Sequence, residues 1–262
     1  MADRIIQDLS DIRLRSGDSP EATMEFLQLS SFDVCKWEDD FFDSSNADMD
    51  NRYTRAVTGS GSGAVLTLTA NQEWGSARMT TGTTNDGISA MSLGTIFKGD
   101  YNAVMAVRFK INVITAVKIE VGFRDSVANN TAGIVNVLDT PSFSATNGCC
   151  WCFDTDATID TWAAEGVKAS TASTTGETLA TTAAGSAPVA DTYQTLVVAM
   201  MEDSAYFMRY NADGRKQGET IMLTDSQTGS TALAPSVFVQ TRNTTTKLLD
   251  IDFFKAWQLR RS

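Results

Sequence analysis

Near the C-terminus, the thirteen residues from Lys247 to Leu259, KLLDIDFFKAWQL, alternate in polarity. Leu249, Ile251, Phe253, Trp257 and Leu259 share one parity, and Asp250, Asp252 and Gln258 share the other. A period of two belongs to a half-buried strand, whose successive side chains point to opposite faces. A strand cannot satisfy its backbone alone, and one placed this late must pair with segments that precede it. The 262 residues are therefore expected to close as one cooperative β domain.

The same alternation recurs upstream. Ala103, Met105, Val107, Phe109, Ile111 and Val113 oppose Arg108, Lys110 and Asn112, and Val117, Ile119, Val121 and Phe123 oppose Lys118, Glu120 and Arg124. Further strands are expected at 65–69, 74–79, 134–138, 149–154, 162–167 and 195–201. Two more, 205–210 and 219–223, flank the turn signal Asn211-Ala212-Asp213-Gly214. About a dozen strands without intervening helices imply an all-β, two-sheet antiparallel sandwich with Greek-key or jelly-roll connections. No repeat of fixed period suggests a propeller or a β-helix. The Ser/Thr/Ala-rich stretch 169–191 reads as a loop or a weak edge strand.

Residues 1–33 read differently, as a short N-terminal arm ahead of a sandwich at 34–262. Ile5, Leu9 and Ile12 have helical spacing, and Ser19-Pro20-Glu21 has the form of an N-cap followed by Pro at the first helical position. So short a segment must lie on the main domain or on another subunit. Ile5, Ile6, Leu9 and Ile12 are the expected docking residues.

Composition narrows the function. The net charge of −11 opposes binding to nucleic acid or to an anionic membrane through a general basic field. The opening residues lack the apolar core of a secretory signal, so synthesis in a cytoplasm is expected. Cys149, Cys150 and Cys152 crowd one strand, with Cys35 distant. Neighbouring cysteines suit neither a disulfide framework nor a tetrahedral zinc site, so reduced, structural thiols and no metal or other cofactor are expected.

The order of elements resembles the concanavalin A-like, laminin-G-like jelly roll. An opening Asp39-Asp40-Phe41-Phe42 comes first, then the long central strands, the AYFMRYNADGRKQGE strand-turn-strand, and the closing LDIDFFKAWQL. The resemblance spans Trp37 to Leu259 and implies that the first and last strands lie together. Such domains, with a short arm and Ala/Thr/Ser-rich loops, also resemble structural proteins of tailed-phage virions.

The chain has no histidine, which removes the commonest general base and the His-based triads. Glycosidases of the resembled fold carry an ExDxE strand motif; KIEVGFR offers Glu120 alone. Asp154 and Asp156 have the spacing of a carboxylate pair or part of a calcium loop, although a turn with solvated aspartates is the simpler reading. An aromatic platform for a glycan would come from Trp74, Trp151, Trp162, Tyr193 or Tyr206. Trp151, Asp154 and Asp156 are the ligand-binding candidates, with one face of the Trp151 strand expected to be the more exposed.

These readings combine into a non-enzymatic virion protein that decorates a capsid. It would dock on the major capsid protein or other virion proteins through its arm, as a homo-oligomer with a trimer favoured. A carbohydrate-binding module of a phage tail or fibre is the second reading, and a carboxylate glycosidase the third.

Overall fold

The computed structural model describes residues 34–41, 52–58, 64–69, 75–125, 133–138, 142–158, 160–173 and 187–260. The arm residues Ile5, Ile6, Leu9 and Ile12, and Trp74, lie outside them. In chain order the strands are β1 (Val34–Asp39), β2 (Thr54–Thr58), β3 (Ala64–Leu68), β4 (Ala77–Thr81), β5 (Ile88–Ser92) and β6 (Val104–Ile111). Then come β7 (Val117–Arg124), β8 (Val135–Val137), β9 (Ser142–Phe143), β10 (Gly148–Asp154), β11 (Ala163–Lys168) and β12 (Thr171–Ala172). β13 (Gln194–Met201), β14 (Ser204–Tyr210), β15 (Ile221–Leu223), β16 (Ala234–Thr241) and β17 (Leu248–Leu259) complete the fold.

The strands form two antiparallel sheets that pack face to face. One runs β15-β14-β13-β6-β17-β4-β3, with β1 also on β17; the other runs β12-β11-β10-β7-β16-β5-β2. The expected joining of the chain's ends is present: Val34 to Asp39 pair with Leu259 to Phe254. β17 has β6 along one edge and divides the other between β4, at Leu248–Ile251, and β1. Strand-period burial explains the core. Met105, Val107, Phe109 and Ile111 meet Val117, Ile119, Val121 and Phe123 between the sheets.

The alternation in β17 is broken once. Its register with β6 shifts between Ile251 and Phe253, leaving Asp252 as a bulge. An extra residue flips every later side chain. Leu249 and Ile251 face the core, but beyond the bulge Phe254 and Ala256 do so. Phe253, Trp257 and Leu259 instead join a cluster on the outer face. The single parity expected for all five apolar residues is thus corrected.

The Asn211–Gly214 turn is present. Gly214 takes φ +76°, and the amide of Asn211 donates to Arg215 O at 3.0 Å. Part of the Ser/Thr/Ala-rich stretch is an edge strand, β12, paired with β11.

Candidate functional site

β10 carries all three ligand-binding candidates, and the structure separates them. Trp151 is only 1% exposed, packed edge-on against Trp162 and Phe207. Its Nε1 donates to Val197 O and Met208 O, both at 3.2 Å, across the sandwich. It ties the sheets together and has no surface for a sugar. Asp154 is buried at the strand's end, where Arg242 grips both its oxygens. Asp156 is exposed, 3.3 Å from the same guanidinium. The Asp154–Asp156 pair is therefore a turn locked by one arginine. Among the described residues, no cluster of three acidic or thiol side chains is placed to hold a metal.

The expectation that one face of β10 is more exposed fails, since all seven of its residues are buried. The cause lies on the outer face of the seven-stranded sheet. There Glu120 accepts hydrogen bonds from the amides of Ile134 and Val135, and Lys118 donates to Val135 O. Lys118 Nζ stands 3.0 Å from Glu120 Oε1, both side chains 2% exposed. Burial alone would depress the Lys118 ammonium, but Glu120 beside it holds the pKa above the usual value. Gly133 begins this cover because a Cβ there would stand 2.3 Å from the Glu120 carboxylate. Glu120, the one acid of KIEVGFR, is thus the anchor of the β8–β9 hairpin. Cys150 and Cys152 lie beneath it as free thiols whose pKa burial pushes far up, which makes them poor nucleophiles.

On the same face Glu165 is 6% exposed, and its Oε1 lacks a hydrogen-bond partner. Burial, with the charge of Glu120, raises its pKa from 4.5 to about 8. Because the folded state holds this proton more tightly, its contribution is complete below about pH 4.5 and declines as pH rises through 8. Glu165→Gln should remove that decline and raise stability at pH 8 by on the order of 2 kcal/mol, net of burying the amide. Urea midpoints of both proteins at pH 5 and pH 8 check this. Parallel pH profiles would refute it.

A different place gathers tyrosines and polar residues around a hollow. A hollow of about 130 Å³ lies between the segment before β13 and the turn after β14. Tyr193 and Tyr210 border it, with Gln194, Arg209, Asn211 and Gln217 supplying polar groups and Pro188 and Val189 an apolar edge. Strand parity places the rings: Thr195 pairs with Tyr210, so Tyr193 and Tyr210 emerge on the same outer face. Arg108 stands 4.4 Å and Lys110 5.1 Å from the centre of the Tyr193 ring. Arg108 is in turn held by Asp252, the bulge residue. Tyr193 is half-buried, and burial, then Asp252 and Asp250, push its phenol pKa upward. Gln194 and Arg209 have the opposite parity and are 8% and 7% exposed, so the partly exposed amides that the hollow can offer to hydroxyl groups beside the tyrosines are those of Asn211 and Gln217. Tyr193 was among the aromatics named from the sequence; Tyr210 was not. Its position directly before the NADG turn, opposite Thr195, was the available signal.

No family model matches this chain, and no curated protein does. Solved structures do. A protein of unknown function from Shewanella oneidensis MR-1 aligns with TM-score 0.56 at 15% identity, covering 93% of this chain and 97% of the other. Peanut lectin, solved with a nine-residue peptide, aligns with TM-score 0.56 at 10% identity, covering 87% and 99%. The exoplasmic/lumenal domain of VIP36, bound to Ca2+ and Man3GlcNAc, aligns with TM-score 0.52 at 14% identity, covering 81% and 85%. At these identities the likeness is one of fold. The fold is a concanavalin A-like jelly roll of the kind seen in legume lectins and VIP36. Nothing in these likenesses ties the chain to virion proteins.

Proposed function

We propose that this chain is a non-catalytic carbohydrate-binding module that takes a sugar residue in the Tyr193–Tyr210 hollow. One observation carries the reading: two tyrosines on one sheet face border a hollow whose partly exposed amides are Asn211 and Gln217. A shallow site of this size suits a terminal residue held from one side better than a buried chain. The lectin-like fold supports the class of ligand. Arg242 holds both oxygens of buried Asp154, which leaves only Asp156 of the carboxylate pair suggested by sequence exposed.

The test is a glycan array on the full chain, followed by calorimetry with the best saccharide. Tyr193→Ala and Tyr210→Ala should each weaken binding about tenfold, equivalent to about 1.4 kcal/mol. Asp154→Asn should leave any binding unchanged. No saccharide bound on the array, or equal affinity in both tyrosine variants, would overturn the proposal.

The second reading is capsid decoration through the arm. Its support is the helical spacing of Ile5, Leu9 and Ile12, and it would show as loss of particle binding when residues 1–30 are deleted. Carbohydrate binding is preferred because its residues are assembled on one surface.

A further inference from the structure

The hollow beside Tyr193 has a charged border. Continuing the β6–β13 register one step past the Gln194–Phe109 rung sets Tyr193 beside Lys110. Arg78 on β4, Arg108 and Lys110 on β6, and Asp250 and Asp252 on β17 gather at this end of the sheet. Two of the three cations are taken. Arg78 donates from Nε and Nη2 to the two oxygens of Asp250, at 2.6 and 2.8 Å, and Arg108 is held by Asp252.

Lys110 is left over. It lies directly opposite Asp250 in the ladder, but Arg78 already engages both oxygens of that carboxylate. Its ammonium stands 5.1 Å from the centre of the Tyr193 ring and has no carboxylate partner among the described residues. Three cations against two carboxylates leave one positive charge here, in a chain whose net charge is −11. So acidic a protein repels anions at long range, and selecting one takes a local cation at the place of binding. Lys110 and Tyr193 are both partly open, so a sugar resting on the ring has this ammonium at its edge. Seating a ligand there strips water from the ammonium. That strengthens its bond to an anionic group and penalises a ligand that brings none.

We propose that the Tyr193–Tyr210 hollow selects an acidic sugar, whose carboxylate or sulfate group pairs with Lys110 Nζ while its ring rests on Tyr193. This rests on the carbohydrate-binding reading and assigns the ligand's charge. Arg108, occupied by Asp252, stacks on the tyrosine and lends no second charge, so the site takes a single anionic group.

A glycan array of the full chain tests this. It carries glycans ending in glucuronic acid, N-acetylneuraminic acid or 6-sulfogalactose, each beside a neutral counterpart. The strongest signals should fall on acidic termini, and the array tells carboxylate from sulfate. Calorimetry then compares the best acidic glycan with its neutral counterpart. Lys110→Gln should weaken the acidic glycan by about fivefold and bring it level with the neutral one, whereas Lys110→Arg should keep the preference. Lys98→Gln removes the same charge beside Gln258, at the far end of β17, and should leave the affinity unchanged. Strongest binding to neutral glycans, an unchanged affinity in Lys110→Gln, or an equal loss in Lys98→Gln would overturn this proposal while the carbohydrate-binding reading stands. No binding to any glycan would overturn both.

Discussion

Glu120→Ala should destabilise the protein by about 3–5 kcal/mol. The carboxylate does three things at once: it neutralises Lys118 and accepts the amides of Ile134 and Val135. Its removal leaves a 2% exposed ammonium with Val135 O, the Phe238 ring and the charge of Asp154 but no adjoining carboxylate. It also orphans two buried N–H groups, each carrying a desolvation penalty of about 1–3 kcal/mol. The losses overlap and do not add. The double variant Lys118→Met/Glu120→Ala should recover part of the loss, since the stranded charge is the larger fault. Urea unfolding of the three proteins reads both effects. A loss below about 1 kcal/mol in the single variant would show that the pair does not hold the hairpin down.

Trp151→Ala should cost a similar amount, about 3–5 kcal/mol, by opening a cavity between the sheets. For a chain of this length that corresponds to a fall in Tm of about 10 °C. Trp151→Phe should cost less, because the ring volume largely remains while the hydrogen bonds to Val197 O and Met208 O are lost. Neither effect should depend on a saccharide. Calorimetric melting with and without the best ligand checks the point. A Trp151→Phe protein with normal stability and abolished saccharide binding would return Trp151 to the binding site.

The fold was legible because it rests on alternation, which the core strands obey. The alternation of β17 required pairing with earlier segments, and the jelly-roll resemblance placed the first strand beside it, as found. The bulge did not follow, because Asp252 fits the alternating pattern and only the pairing with β6 reveals it as the extra residue. The candidate site was less legible for a related reason. Trp151 and Asp154 have the chemistry of binding residues, but burial and the Arg242 pair remove them from the surface. The tyrosines of the hollow are ordinary strand residues in sequence; Thr195 and Tyr210, 15 positions apart, become neighbours only through the β13–β14 register. Glu120 was named as a lone acid, and its role depends on a hairpin that begins 13 residues later at Gly133.

The pairing of β1 with the end of β17 also sets how the molecule bears load. Val34 lies opposite Leu259, so both ends of the described sandwich leave from the same point of one antiparallel pair. A pull on the two ends therefore unzips β1 from β17 one rung at a time, instead of shearing six pairs together. The first rungs to part are those beside Trp257 and the outer apolar face. A module tethered at both ends would thus yield at its rim, while β17 stays zipped to β6 and the sandwich behind it remains whole.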